Sequence, residues 1–286
     1  MISKFGALGW NTFLTIAYVG VLYLLPNSRP SSTLSRNDEV LIRIRVYSIL
    51  ATTAVLCSIT AWLISEDGIS GIIGALNPGY VLLVVRMIPL PSIFVLLGSS
   101  IGLTSVLFMG PLVDKLVWSK GWKCLGTNFR DAIRSWSGVR DYIIGPLTEE
   151  VVFRACIISI NLSARISPMT SLFFCPLYFG VAHLHHAYEA YASDDEYLRI
   201  AIFSSLFQCM FTTVFGWWVS FLFLRTGSIW PSVITHMYCN TLGIPSLTAI
   251  DGPAWKTKVY YGLLVFGVVS FALLLKPLTV SERNIM

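Results

Sequence analysis

Apolar and polar positions along the chain fall into long apolar runs separated by short polar joints. The apolar runs cover about 6–25, 46–64, 92–113, 142–162, 169–186, 200–224, 229–247 and 259–275. A helix needs about 20 residues to cross a bilayer, so these runs predict about eight transmembrane helices. The stretch 69–88 is apolar too, but Asn77-Pro78-Gly79 and Arg86 interrupt it. Those breaks predict a short interfacial or re-entrant piece instead of a crossing. Residues 128–137, in a basic joint, predict an amphipathic surface helix. No internal repeat or low-complexity tract divides the chain, so residues 1–286 predict one all-α, polytopic membrane domain.

Composition agrees with the pattern. The chain is 55% hydrophobic and 12% charged, with a mean hydropathy of +0.71, whereas a soluble domain is about one quarter charged. The net charge of +5 fits loop lysines and arginines at a membrane and gives no reason to expect nucleic acid as a partner. The loops after the first and third runs hold Arg29, Arg36, Arg43, Arg45, Lys115, Lys120, Lys123, Arg130, Arg134 and Arg140. The positive-inside rule turns them to the cytosol and the amino terminus to the lumen. An acidic loop from Glu189 to Glu196 weighs weakly against that orientation. The apolar run after Lys4 is too long for a cleaved signal and reads as a signal anchor. Six cysteines without Cys-x-x-Cys spacing read as small hydrophobes. The sequon Asn161-Leu-Ser163 abuts the membrane and is expected to be unglycosylated.

One stretch breaks the apolar rule. Pro146-Leu-Thr-Glu149-Glu150-Val-Val-Phe-Arg154 sets two carboxylates inside the fourth run, while every other Asp or Glu falls in a predicted loop, terminus or span edge. Ionised carboxylates in hydrocarbon cost several kcal/mol, so they mark function by default. Arg154 follows Glu150 by four residues, the spacing that puts an acid and a base on one helical face. That pair lowers the cost of burying both charges. Glu149 points about 100° away with no local cation. The spacing therefore assigns Glu150 and Arg154 to support and Glu149 to chemistry.

Depth brings other polar groups to Glu149. It lies about 10 Å inside the cytosolic face at 1.5 Å per residue. His183 sits near the cytosolic end of the fifth run, and His236 and Asn240 share one face of the seventh. A carboxylate, histidines and a carboxamide arriving together predict a hydrated cavity between helices. The simplest chemistry there is hydrolysis: Glu149, helped by His183, deprotonates a water, and His236 and Asn240 donate to the oxyanion.

Other readings stay open on the residues alone. His183, His185, His186 and a glutamate could ligate zinc, although His183 and His185 point to different faces and no His-Glu-x-x-His spacing exists. A transporter or proton relay also uses intramembrane Glu and His, but no inverted repeat is visible. A scaffold would use the charges to pin helices. Cys239 lies off the face shared by His236 and Asn240 and is a weak nucleophile candidate.

Three strings together resemble a known family. Glu149-Glu150-Val-Val-Phe-Arg154, Phe179-Gly-Val-Ala-His183 and His236-Met-Tyr-Cys-Asn240 match the EExxxR, FxxxH and HxxxN boxes of the CPBP/ABI intramembrane glutamate proteases. The longer strings Pro-Leu-Thr-Glu-Glu and Phe-Gly-Val-Ala-His-Leu-His-His are similar to its eukaryotic branch, the type II CAAX prenyl endopeptidases or Ras-converting enzymes. The match covers about 145–247. The resemblance implies an endoplasmic reticulum membrane protease, open to the cytosol, that removes the aaX tripeptide from farnesylated or geranylgeranylated CaaX proteins such as Ras-type GTPases. It implies Glu149 and His183 as water activators, His236 and Asn240 as the oxyanion hole, Glu150 and Arg154 as support, and no metal or other cofactor. The aromatic residues of the sixth run (Phe203, Phe207, Phe211, Phe215, Trp217, Trp218, Phe221) either line a lipid route or face lipid and neighbouring helices.

Overall fold

The chain begins with a capped helix: Ser3 accepts the Gly6 N–H and opens α1, Lys4–Leu24, which stops before Pro26. The structure, a computed structural model, describes residues 2–29, 37–64, 90–124, 130, 133–193, 198–248, 250–279 and 284–286. The interrupted stretch 69–88 lies outside the described residues, as do residues 128, 129, 131 and 132 of the surface helix expected over 128–137. Helices are the only regular elements among the described residues, in agreement with the apolar pattern.

α2, Glu39–Ile64, begins well before the apolar run at 46, so it takes Arg43 and Arg45 into the helix. α3, Leu90–Leu107, is followed by an arm, Met109–Trp118, and the two are bent by 86°. Residues 136–163 form one continuous helical run, α4. Ser167 accepts the Thr170 N–H and Pro168 sits in the first turn of α5, Pro168–Ala182, a position where its missing N–H costs nothing. α6, His185–Ser193, is short and polar. α7 spans Leu198–Thr226, α8 Trp230–Leu242 and α9 Ala254–Leu278. The end of α8 is set by Gly243, whose φ of +74° favours glycine.

The expected eight crossings reduce, by length and composition, to four helices among the described residues (α1, α2, α7 and α9), or five with the bent α3 pair. α5 has 15 residues and α8 has 13, both short of a full crossing on their own. α4 is divided by two wide turns.

α4 is the centre of the bundle. Val152, Ala155, Cys156, Ile157, Ile158 and Ile160 are fully buried, as befits a helix that is apolar on every side. α1, α2, α5, α7 and α8 all pack on it, while α9 leans on α3 and turns Val265, Phe266 and Leu273 outward. α5 and α7 approach closely because of glycines. A Cβ at Gly180 would lie 2.0 Å from Thr213 Oγ1, and one at Gly216 2.8 Å from Pro176 Cβ. Small residues let membrane helices make such crossings. Asn161 of the sequon is buried; it accepts from Asn11 Nδ2 at 2.7 Å and donates to Cys175 Sγ at 3.1 Å, tying α4 to α1 and α5.

Candidate active site

The glutamate helix is not a plain α-helix. Over Arg140–Ile144 and again over Val151–Cys156 it widens into turns with five-residue spacing. The Gly145 N–H bonds to the Arg140 carbonyl, and a Cβ at 145 would stand 2.8 Å from that oxygen. Glycine is therefore what the first wide turn requires. Such turns re-aim side chains and gather at functional sites. Here they flank Glu149 and Glu150.

The two neighbours have different surroundings. The Glu150 side chain is 0% exposed, and its Oε1 takes Arg154 Nη1 at 3.1 Å and His236 Nδ1 at 2.7 Å. Arg154, 1% exposed, also lies 4.2 Å over the Phe179 ring, a cation–π contact that offsets part of its burial cost. Glu149 is 24% exposed and, among the described residues, makes no hydrogen bond; the imidazole Nε2 of His236 stands 3.7 Å from it. The spacing argument for an Arg154–Glu150 pair holds geometrically. It missed that Glu150 also grips His236, 86 residues away in sequence.

A cavity of about 700 Å³ opens against these groups and is lined by Glu149, His183, His236 and Asn240 together. His183 caps α5, and its Nδ1–H donates to the Phe179 carbonyl at 2.7 Å. A carbonyl only accepts, so the proton is on Nδ1 and Nε2 keeps its lone pair. Phe179 lies edge-on to His183 at 4.6 Å and to His236 at 6.0 Å. The aromatic of the FxxxH box thus holds apart both imidazoles while supporting Arg154. Asn240 is exposed and donates one Nδ2–H to the Asp141 carbonyl at 2.8 Å, in the first wide turn; its second N–H remains to be used. His236 has Nδ1 committed to Glu150, so it can donate to an oxyanion only through Nε2 and only when the ring carries both protons.

Several cavity residues were not singled out by spacing. Tyr18 of α1 reaches Thr148 Oγ1 at 2.9 Å, and Thr148 donates to the Ile144 carbonyl at 2.8 Å, so the tyrosine steadies the turn before Glu149. Phe207, Phe211 and Phe215 form one stripe of α7 along the cavity, whereas Phe203 points outward at 74% exposure. The aromatics of the sixth apolar run thus divide between cavity and surface.

The largest departure from expectation concerns Arg45 and Glu189. The sequence pattern put both in loops. Instead Glu189, on α6, is 3% exposed and accepts Arg45 Nη1 at 2.6 Å and His186 Nδ1 at 2.9 Å. All three line the cavity, as does His185. Burial would raise the Glu189 carboxyl, but the His186 hydrogen bond and the Arg45 guanidinium outweigh it and hold it well below the usual carboxylate range. Burial, with His186 beside it, pushes His185 down to about 4, so that ring is neutral.

Among the described residues, three donor atoms within 4.8 Å of one another that could hold a metal come from His185, His186 and Glu189. His183 and Glu149 are not in this group. Its carboxylate already faces a guanidinium at 2.6 Å, which competes with a dication for the same charge.

Residues 132–242 match the family described as Type II CAAX prenyl endopeptidase Rce1-like. Over 260 residues the chain is 34% identical to the Schizosaccharomyces pombe protein named Probable CAAX prenyl protease 2, covering 91% of this chain and 89% of that one. It is 34% identical over 275 residues to human CAAX prenyl protease 2, covering 93% and 79%. Saccharomyces cerevisiae CAAX prenyl protease 2 is 27% identical over 303 residues, covering 92% and 94%. No solved structure matches.

Proposed function

Since the chain belongs to the Rce1-like type II CAAX prenyl endopeptidases and is a multi-pass membrane peptidase, we propose that it removes the aaX tripeptide from prenylated CaaX proteins with Glu149 as the base. One observation carries this reading. Glu149 is the carboxylate of the helix core that lines the cavity without a hydrogen bond, while its neighbour Glu150 is fully enclosed.

A water between Glu149 and His183 Nε2 gives its proton to the carboxylate and attacks the scissile carbonyl. The oxyanion takes the spare Asn240 N–H and, with the ring doubly protonated, His236 Nε2–H. Glu150 holds that ring in orientation through Nδ1, in the manner of a carboxylate behind a catalytic imidazole. The proton on Glu149 then passes to the leaving amine. Phe207, Phe211 and Phe215 supply an apolar wall for a farnesyl or geranylgeranyl chain, which partitions into the bilayer beside them. Substrates are prenylated CaaX proteins, Ras-type GTPases among them, and the setting is the endoplasmic reticulum membrane with the cavity open to the cytosol.

The test is hydrolysis by purified protein in liposomes of a farnesylated CaaX peptide. Release of the intact tripeptide, at the same rate with and without a chelator, is the expected result. No cleavage would refute the reading; activity abolished by chelation and restored by zinc would replace it with a metal-dependent one.

A further inference from the structure

The substrate class proposed above ends in a free carboxylate, and this inference rests on that reading. Cleavage three residues from the end puts the carboxylate about 10 Å from the scissile carbonyl in an extended tail. A buried anion there needs a cation or several N–H donors.

Among the described residues, two arginines line the cavity, Arg45 and Arg140. Arg140 is turned on its own neighbour, with Nε 2.6 Å from Asp141 Oδ1. Arg45 is held differently. Its residue is 8% exposed; Nε donates to the Ser28 carbonyl at 3.0 Å, Nη1 donates to Glu189 at 2.6 Å, and Nη2 is buried with no partner. A buried guanidinium nitrogen left unpaired costs on the order of 1–3 kcal/mol. Two of its donors fix the fork in place, so the third is pre-oriented rather than mobile. His185 and His186, whose rings stand 4.0 Å apart, line the same wall. The His186 ring is 5.9 Å from that of His183. A tail of three residues leaving the water site therefore reaches this wall without leaving the cavity.

We propose that Arg45, through Nη2, receives the terminal carboxylate of the substrate, with His186 bracing Glu189 behind the guanidinium. Glu189 then has a defined purpose: it positions Arg45 and offsets its charge while the subsite is empty. The subsite explains how an enzyme of this class would measure three residues from a chain end. The apolar stripe fixes the prenyl group and Arg45 fixes the terminus.

The experiment compares a farnesylated CaaX peptide bearing a free carboxylate with the same peptide as its C-terminal amide, using the full chain in liposomes. Wild type should prefer the acid by about 10- to 100-fold in kcat/KM, the range of a charge-assisted hydrogen bond. In Arg45→Gln/Glu189→Gln, where neither charge is left unpaired, the ratio should fall to near one. Arg45→Lys, which loses the fork but keeps the charge, should fall in between. Equal cleavage of acid and amide by wild type would overturn the subsite, and that comparison needs no variant to fold. A wild-type ratio retained in either variant would overturn the role of Arg45. Failure of wild type to cut either peptide would refute the peptidase reading, and the subsite with it.

Discussion

Two arginine–glutamate–histidine triads stand among the described residues, and they are built from the same parts to different ends. In the deep one, Glu150 is held by Arg154 and His236; in the other, Glu189 is held by Arg45 and His186. Glu150 and Arg154 do not line the cavity, whereas Arg45, His186 and Glu189 all do. The acid and base of the deep triad are shut off from the cavity, with Glu150 Oε2 and both Arg154 Nη atoms buried and without a hydrogen-bond partner, and His236 Nε2 reaches from it toward Glu149. The other lines the cavity and also keeps a guanidinium nitrogen, Arg45 Nη2, without a hydrogen-bond partner. A sealed charge pair orients a neighbour, while a pair at a cavity wall can bind.

The contrast can be broken most sharply at the histidines. His236→Ala should lower kcat about 10²- to 10³-fold on a farnesylated CaaX peptide, the size expected for a lost oxyanion donor. His186→Ala should act mainly on KM, by about tenfold or less. Equal kcat losses would erase the distinction. Stability offers the next test. Arg154→Met leaves Glu150 as an uncompensated charge in a dry core, and should cost about 3–5 kcal/mol. Arg45→Met should cost less, about 1–3 kcal/mol, because Glu189 lines the cavity while Glu150 does not. Thermal melting in one detergent would rank the two, and the reverse order would contradict the core-versus-cavity assignment.

Packing gives a smaller effect. Gly180→Ala drives a methyl into Thr213 Oγ1 and the Cys209 carbonyl, and should cost about 1–3 kcal/mol by the same melting measurement. The smallest effect is on pH dependence. Glu189 titrates below its unfolded value, so its contribution is present above the ordinary carboxylate range and is lost as pH falls below about 4.3. The melting temperature of wild type should decline on the acid side of that point, and Glu189→Gln should flatten the decline. An unchanged acid limb would show that Glu189 is not held in this way.

What the sequence made legible follows the same division. The pair Glu150–Arg154 obeys four-residue spacing within one helix, so local geometry revealed it. Apolar runs likewise located each long helix, with boundaries off by six or seven residues where α2 begins at Glu39, α3 ends at Leu107 and α4 begins at Trp136. Arg45 and Glu189 come from helices 144 residues apart, and each sits beside polar neighbours that resemble a loop. Their burial is a tertiary effect with no period to read. The Glu150–His236 bond was hidden for the same reason. Wide turns in α4 left only a faint trace, the glycine at 145. The short α5 and α8 end at a His-rich cap and at Gly243, boundaries that the length of an apolar run does not register.

The central claim is that Glu149, and not its neighbour, handles the proton of the attacking water. Glu149→Gln keeps size and shape while removing the base. Its kcat/KM on a farnesylated CaaX peptide should fall about 10³-fold or more with the melting temperature unchanged, toward the upper part of the range for a lost general base. A Glu149→Gln protein that cuts within about tenfold of wild type would contradict the account.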